Sequence, residues 1–361
     1  RRGARVVVND LGGARDGAGK GSPSPADQVV DEIRSAGGQA VASYDNVATV
    51  EGGENIVDTA LAAFGTVDIL INNAGIVRDK TFAKMAPENW RAVLDVHLTG
   101  AYHVTRPAFR VMKKNGYGRI VMTTSASGLY GNFGQSNYSA AKMGVVGLMN
   151  TLKLEGAKDN IRVNTLAPFA ASRLTADVMP PEMFDRSKPE FVAPLVLYLC
   201  SDRCSQNGNI YVAGMGYFSR AAVVTGAGKM LTENGRAPTP ETVMAHMESI
   251  SDLSDGKCYW DVNAQVADCL QIAEPPAGGA APAHTAGFTS AEQVFAAMPD
   301  CFSADAASGL DVVFQYLISG AGEWVCEVKD GTCSVSSGRH AQPSCTLEIA
   351  EADFLTMING T

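Results

Sequence analysis

The first part of the chain, up to about residue 215, alternates short apolar runs with longer stretches in which apolar residues recur every three or four positions. The apolar runs predict strands at 4–9, 39–44, 67–72, 119–124, 161–166 and 209–213. The longer stretches predict helices at 25–36, 51–64, 87–114, 137–158 and 189–201. Strands that alternate with helices pair in parallel, because each helix carries the chain back across the sheet. The pattern therefore predicts an α/β domain with a doubly wound parallel sheet.

The composition changes sharply at 273–287, where small residues, glycine and proline follow one another without periodicity. Such a stretch is typical of a flexible linker. Before it, residues from about 218 form a polar, partly helical extension, so that the first domain is predicted to cover 1–272.

Residues 288–361 show a third pattern. A predicted helix at 289–298 is followed by several strand-like runs and a final helix, and Asp330-Gly331 is a strong signal for a hairpin turn. A smaller α+β domain is expected here.

Composition and charge narrow the classes of function. Hydrophobic residues make up 46% of the 361 positions, and the net charge at pH 7 is −9. This balance argues against a nucleic-acid partner, which requires a basic face. No apolar run approaches the roughly 20 residues of a membrane span. The eight cysteines lack zinc-ligand spacing with histidines, so no metal site is predicted.

Ser125, Tyr138 and Lys142 are the most informative residues for chemistry. Tyr138 and Lys142 lie four positions apart and therefore share one face of a helix. A phenol titrates near 10 and needs a neighbouring cation to act as a base at neutral pH, and Lys142 is placed to be that cation. Ser125 follows an apolar strand and can hydrogen-bond the same substrate oxygen. Together they predict hydride transfer between an alcohol or ketone and a nicotinamide.

With the turn Asn72-Asn73-Ala74-Gly75, these residues resemble the short-chain dehydrogenase/reductase family, whose N-N-A-G and Y-x-x-x-K signatures are both matched. The resemblance implies that Ser125, Tyr138 and Lys142 are catalytic. The family's fourth catalytic residue is an asparagine, and His97 stands in its place. A histidine can also bond a backbone carbonyl or water, so both a proton-relay role and a packing role remain open.

The same resemblance identifies the first strand of this chain with the family's second. The family's first strand and its glycine-rich, phosphate-binding turn are then expected to be missing. Asp10 would bind the adenosine ribose and repel a 2′-phosphate, which favours NAD over NADP, although an aspartate that only caps a loop is an alternative. Asp45 would face the adenine. The other implied cofactor contacts are Asn73, Ala74, Gly75, Tyr138, Lys142, Pro168, Ala170 and Thr175.

Three distinctive stretches, 9–33, 128–135 and 188–200, are similar to the (3R)-hydroxyacyl-CoA dehydrogenases of the family. They imply NAD-dependent oxidation of a (3R)-3-hydroxyacyl-CoA to the 3-ketoacyl-CoA in fatty-acid β-oxidation. The same resemblance implies a peroxisomal location. Without the resemblance, a cytoplasmic location would be expected. The resemblance, with the apolar residues of the two longest predicted helices, also suggests a homodimer.

Residues 288–361 resemble the sterol carrier protein-2 domain, which implies a bound lipid, and they stop short of that domain's usual end. Two other functions stay open. One is a generic 3-ketoacyl or steroid reductase of the same family, against which Asp10 argues because that chemistry usually draws on NADPH. The other is an inactive, truncated product that retains only lipid binding.

Overall fold

The computed structural model describes residues 2–19, 22, 24–171, 181–232, 236–273, 288–299, 302 and 311–359. The chain divides into two compact units, Arg1–Ala273 and Glu274–Thr361. Each unit has an apolar core of its own.

The first unit alternates strands and helices along the chain. Its strands are β1 (Arg5–Asn9), β2 (Gln39–Ser43), β3 (Ile69–Asn72), β4 (Gly118–Thr123), β5 (Ile161–Pro168), β6 (Ile210–Gly214) and β7 (Tyr217–Ala221). Its helices are α1 (Ser24–Ser35), α2 (Val50–Phe64), α3 (Pro87–Leu94), α4 (Gly100–Asn115), α5 (Ala126–Tyr130), α6 (Ser136–Glu155), α7 (Pro181–Arg186), α8 (Ala193–Leu199), α9 (Pro240–Ala245), α10 (Met247–Ile250) and α11 (Val262–Ala273).

The main sheet has the strand order β3-β4-β5-β6-β7. The first four strands are parallel, and the prediction of a parallel α/β sheet is confirmed. β7 was not predicted and runs antiparallel to β6. Met215 and Gly216 join these two strands with φ values of 54° and 81°. Two consecutive positive φ angles are typical of a two-residue hairpin turn, so the chain reverses here instead of crossing over through a helix.

β1 and β2 form a separate, two-stranded parallel sheet. Within the described ranges, β1 pairs only with β2 and β3 pairs only with β4, so each has an open edge. Two apolar side chains of β3 are accordingly exposed, Ile69 by 41% and Ile71 by 49%. The loops after β1 and β3 nevertheless touch, since Arg78 Nε donates a hydrogen bond of 2.7 Å to the Asp16 carbonyl. Both edges offer backbone groups to an additional strand.

The core of the first unit lies where β4 and β5 meet α4 and α6. These strands are covered on both faces and are apolar almost throughout, as parallel strands generally are. The most buried members of this core include Val104, Met112, Ile120, Val145, Met149 and Val163. Each such side chain stabilises the fold by roughly 1.5–3 kcal/mol. The core therefore fixes the start of α6 against the end of β4.

The second unit is built on a four-stranded sheet of order β10-β9-β8-β11. Its elements are α12 (Ala291–Ala297), β8 (Val312–Ser319), β9 (Gly322–Lys329), β10 (Thr332–Ser337), β11 (Cys345–Ala350) and α13 (Glu351–Asn359). β8, β9 and β10 are antiparallel, whereas β11 runs parallel to β8. The predicted turn at Asp330-Gly331 connects β9 to β10, with φ values of 49° and 73°.

An aromatic stack forms the core of this second unit. The Phe295 ring is stacked on Trp324, with the ring centroids 4.5 Å apart, and on Phe354, with the centroids 5.4 Å apart. Tyr316 meets Phe295 edge-on at 5.0 Å. Rings of this size bury large apolar areas, and their mutual geometry adds about 0.5–1.5 kcal/mol per pair.

Candidate active site

The predicted catalytic residues converge at the carboxyl end of the main sheet. Ser125 follows β4 and caps α5, its hydroxyl accepting a hydrogen bond of 3.2 Å from the Ser127 amide. Tyr138 and Lys142 lie in the first two turns of α6. Parallel strands all end at this edge, which is where open α/β sheets bind their ligands.

Tyr138 is half-buried and remains accessible to a small molecule. Burial raises the pKa of its phenol, the hydrogen bond with Ser125 lowers that pKa, and the charge of Asp79 raises it again. The balance is a raised pKa, because burial outweighs the contribution of Ser125. The lowered phenol pKa that the sequence predicted from Lys142 is therefore not present in this arrangement.

Lys142 is buried, with 4% of its surface exposed. Its Nζ donates a hydrogen bond of 2.7 Å to the Thr123 carbonyl and lies 5.6 Å from the centroid of the Tyr138 ring. Burial lowers the pKa of Lys142 to about 7. The phenol and the ammonium are thus close in space, and Lys142 gains or loses its proton near neutral pH while the phenol of Tyr138 keeps its own.

His97 also reaches this cluster. It lies in a π-helical segment, Asp95–Thr99, that interrupts the helix formed by α3 and α4. Its ring packs edge-on against Tyr138, with the centroids 5.0 Å apart and the planes at 87°. Short π-helical segments occur frequently at functional sites, because they turn a side chain out of the regular helical position.

Burial, together with the charge of Lys142, lowers the pKa of His97 to about 3, so its imidazole is neutral at physiological pH. Nε2 lies 2.7 Å from the Ile76 carbonyl, to which it can donate. The buried Nδ1 has no hydrogen-bond partner among the described residues. A neutral imidazole with one unpaired nitrogen beside the phenol is compatible with a proton relay, and its close packing is equally compatible with a structural role.

The turn after β3 makes room for this histidine. A Cβ atom on Gly75 would lie 2.4 Å from His97 Cε1, so the position requires glycine. Asn73 Oδ1 accepts a hydrogen bond of 3.0 Å from the Thr123 hydroxyl, which ties the turn to the end of β4. The N-N-A-G turn thus packs against His97 and is bonded to the end of β4.

Several residues that hold the site were not found from the sequence. Asn137 is fully buried and donates to the Arg78 and Asn89 carbonyls, which fixes the first turn of α6. Gly128 lets α5 approach α6, since a Cβ there would lie 2.8 Å from the Cβ of Lys142. The only signal for Asn137 in the sequence was its position directly before Tyr138, at the start of a predicted helix.

The proposed cofactor residues are distributed over two places. Asp10 follows β1, and its Oδ1 accepts a hydrogen bond of 2.6 Å from the Gly12 amide, so the carboxylate is held in its own loop. Both oxygens of Asp45 are occupied, by the Asn55 amide at 3.0 Å and the Ser43 hydroxyl at 2.8 Å. This network binds Asp45 to β2 and α2, which leaves the carboxylate less free to face an adenine.

The remaining proposed contacts lie near the catalytic cluster or outside the described residues. Asn73, Ala74 and Gly75 form the turn after β3, and Pro168 ends β5, paired with Ala213 of β6. Ala170 follows two residues later and packs on the apolar cluster below α8. Thr175 lies outside the described residues.

Comparisons with known proteins identify the family of each part of the chain. The short chain dehydrogenase family model matches residues 12–178, and the SCP-2 sterol transfer family model matches residues 292–361. A Mycobacterium tuberculosis protein named as a short-chain type dehydrogenase/reductase is 55% identical over 255 residues, which cover 71% of this chain and 88% of that protein. The chain belongs to the short-chain dehydrogenase/reductase family, and it carries an SCP-2 sterol transfer domain after the dehydrogenase.

Two further relatives are named as peroxisomal multifunctional enzymes. Peroxisomal multifunctional enzyme A of Dictyostelium discoideum is 39% identical over 387 residues, covering all of this chain and 86% of that protein. The structure of full-length peroxisomal multifunctional enzyme type 2 from Drosophila melanogaster superposes with a TM-score of 0.63 at 37% identity. That alignment covers 76% of this chain and 50% of the Drosophila chain, so this chain spans about half of that relative.

Proposed function

We propose that this chain oxidises a (3R)-3-hydroxyacyl-CoA to the 3-ketoacyl-CoA with NAD as hydride acceptor, as a step of fatty-acid β-oxidation. The convergence of Ser125, Tyr138 and Lys142 at the carboxyl edge of the sheet carries this proposal. The relatives named as peroxisomal multifunctional enzymes support a peroxisomal location. The acyl-CoA substrate is what the resemblance of 9–33, 128–135 and 188–200 implies.

Each catalytic residue has a role that follows from its position. The Ser125 hydroxyl binds the oxygen on C3 of the substrate and orients it towards Tyr138. The Tyr138 phenolate takes the proton from that oxygen, and the Lys142 ammonium stabilises the phenolate. A bound nicotinamide supplies the acceptor for the hydride that leaves C3. In the relay alternative, the free Nδ1 of His97 would be the nitrogen that accepts the proton.

The described residues fit NAD in part. A fixed carboxylate at the end of β1 suits the two ribose hydroxyls, and the turn after β3 lies against the catalytic cluster. The glycine-rich turn that binds the pyrophosphate in this family is not found among the described residues. Assays of activity therefore use, beside the 361-residue chain, an engineered fusion, called the extended chain, in which a strand–glycine turn–helix unit of this family is joined before β1 to supply that turn.

The proton balance of the site predicts how the rate depends on pH. Oxidation requires that Tyr138 and Lys142 together hold one proton, so that the phenolate can accept the second from the substrate. Because the pKa of Lys142 is about 7 and that of Tyr138 is raised, the pair takes up a second proton as the pH falls through about 7. The kcat/KM for oxidation should fall about tenfold per pH unit below that value.

The reverse reaction provides the control for this pH dependence. Reduction of the 3-ketoacyl-CoA needs the protonated phenol and should show no such loss on acidification. A flat oxidation profile between about pH 5 and 8 would contradict the assigned roles.

The proposed cofactor choice rests on Asp10. Asp10→Ala removes a negative charge that would repel the 2′-phosphate of NADP, so the ratio of kcat/KM for NAD to that for NADP should fall about tenfold or more. Asp16→Ala is the matched control, since Asp16 caps the same loop by accepting from the Ala18 amide at 2.9 Å. If both variants keep the wild-type ratio, Asp10 does not face the ribose.

Residues 288–361 are proposed to bind a lipid, as the SCP-2 family match suggests. A homodimer is proposed from the family alone. Val93 and Val145, which are among the apolar residues of the two long helices, are buried in the core of the first unit and are not free for a partner.

Two alternatives are distinguished by one assay of the extended chain with 3-hydroxyacyl-CoA and NAD. NADH formation supports the proposal. Turnover restricted to NADPH and a ketone would favour a generic 3-ketoacyl or steroid reductase. A second candidate for the 361-residue chain is lipid binding alone, which the SCP-2 family match supports. Lipid binding without turnover in either form would support that function.

A further inference from the structure

A cavity of about 420 Å³ lies at the other end of the main sheet, near the start of β6. It is bounded by 205–209, which precede β6, by Arg220 of β7, by 258–260, and by Lys153 in the last turn of α6. Lys153 is fifteen residues along this helix from Tyr138, which corresponds to about 22 Å. The cavity is therefore separate from the catalytic cluster.

Lys153 is held rigidly in the wall of this cavity. Only 4% of its surface is exposed. Gly208, with φ +71°, packs on its side chain so tightly that a Cβ would lie 2.2 Å from Lys153 Cδ. The ammonium lies 4.2 Å from the centroid of the Trp260 ring, a cation–π contact. Within the described part of the chain, Lys153 Nζ has neither a hydrogen bond nor an ion pair to a carboxylate.

Arg220 is a second cation at the exposed rim of the cavity. Its charge lowers the pKa of Lys153, although burial of Lys153 is the larger cause. Asp261 is the nearby carboxylate and raises that pKa, but its Oδ1 accepts a hydrogen bond of 2.9 Å from the Ala264 amide at the start of α11. Two cations thus line the cavity. Two carboxylates lie near its wall, Asp261 and Asp268, and Asp268 accepts hydrogen bonds from Tyr259 and Lys257.

Two side-chain acceptors of the wall are also occupied. Gln206 Oε1 accepts from the Asn209 amide at 3.1 Å and the Tyr211 hydroxyl at 3.0 Å. Asn207 Oδ1 accepts from the Val163 amide at 2.9 Å. Lys153 and Arg220 are the charged residues of the lining, and their N–H groups are donors. A fixed ammonium beside a guanidinium is a donor set that matches the oxygens of a phosphate.

We propose that the cavity between Lys153 and Arg220 binds a phosphate group, either as free phosphate or as part of a small organic phosphate. The anion would pair a buried ammonium that is otherwise without a counter-charge in direct contact. Such a pairing offsets the cost of burying Lys153. The exposed face of Trp260 lies next to this position and provides a surface for the organic part.

Calorimetric titration of the full 361-residue chain with inorganic phosphate and with ribose 5-phosphate tests the proposal. Wild-type protein should bind at least one of them, and Lys153→Met and Arg220→Gln should each weaken binding tenfold or more. Lys158→Met is the matched control, because Lys158 is exposed just beyond the same helix end, and it should leave binding unchanged.

The comparison of the two ligands identifies the source of the phosphate. Equal affinities indicate free phosphate, and tighter binding of ribose 5-phosphate indicates an organic one that also contacts Trp260. Arg220→Gln keeps the test valid if Lys153→Met fails to fold, since Arg220 is exposed. Absence of binding by the wild-type chain at millimolar ligand, or binding that Arg220→Gln leaves intact, would overturn the proposal.

Discussion

Replacing Tyr138 by phenylalanine is expected to lower kcat for 3-hydroxyacyl-CoA oxidation by about three orders of magnitude. The substitution removes the one oxygen that accepts the substrate proton. It keeps the ring, so the edge-on contact with His97 and the position of Lys142 are retained. The loss should therefore appear in kcat, and the KM for the acyl-CoA should change little.

A matched control separates chemistry from folding. Tyr130 lies at the end of α5, is 74% exposed, and should tolerate the same change without effect on kcat. Thermal unfolding of both variants should coincide with that of the wild-type protein. If Tyr138→Phe turns over at a near-normal rate while remaining folded, Tyr138 is not the base.

The sequence predicted the frame of the first unit because parallel strands and amphipathic helices leave strong periodic signals. It also predicted that Tyr138 and Lys142 would be neighbours, since a spacing of four in a helix fixes that geometry.

Other features left no such signal. The pKa of Tyr138 depends on how deeply the phenol is buried, and no local sequence pattern encodes that depth. Burial raises this pKa, whereas the sequence predicted that it would be lowered. Lys142 donates its hydrogen bond to the backbone carbonyl of Thr123. Every residue has such a carbonyl, so the sequence does not indicate which one is the acceptor. The π-helical segment around His97 follows from tertiary packing and not from helix propensity.

Asp10 and Asp45 also show what the sequence alone does not predict. Asp10 and Asp45 both follow strands, and their positions in the sequence suggested similar roles at the cofactor. The structure separates them: both oxygens of Asp45 are bound by side chains from β2 and α2, whereas Asp10 is held by one backbone amide. The predicted contact of Asp10 with the ribose is therefore easier to form than that of Asp45 with the adenine.

The second large effect is the choice between substrate enantiomers. Ser125 and Tyr138 fix the place of the substrate hydroxyl, so the hydrogen on C3 can point towards the nicotinamide in only one enantiomer. In the other enantiomer the hydrogen and the acyl chain exchange places. A misplacement of even 1 Å at the reacting atoms can cost about a hundredfold in rate, so a selectivity of at least about 100 is expected.

The most direct test of the account is the initial rate of NADH formation by the extended chain with (3R)- and with (3S)-3-hydroxyacyl-CoA of the same chain length. The account predicts rapid NADH formation from the (3R) substrate, at least about a hundredfold slower formation from the (3S) substrate, and loss of the (3R) rate in Tyr138→Phe. Equal rates with the two enantiomers, a preference for (3S), or no NADH from either would contradict it.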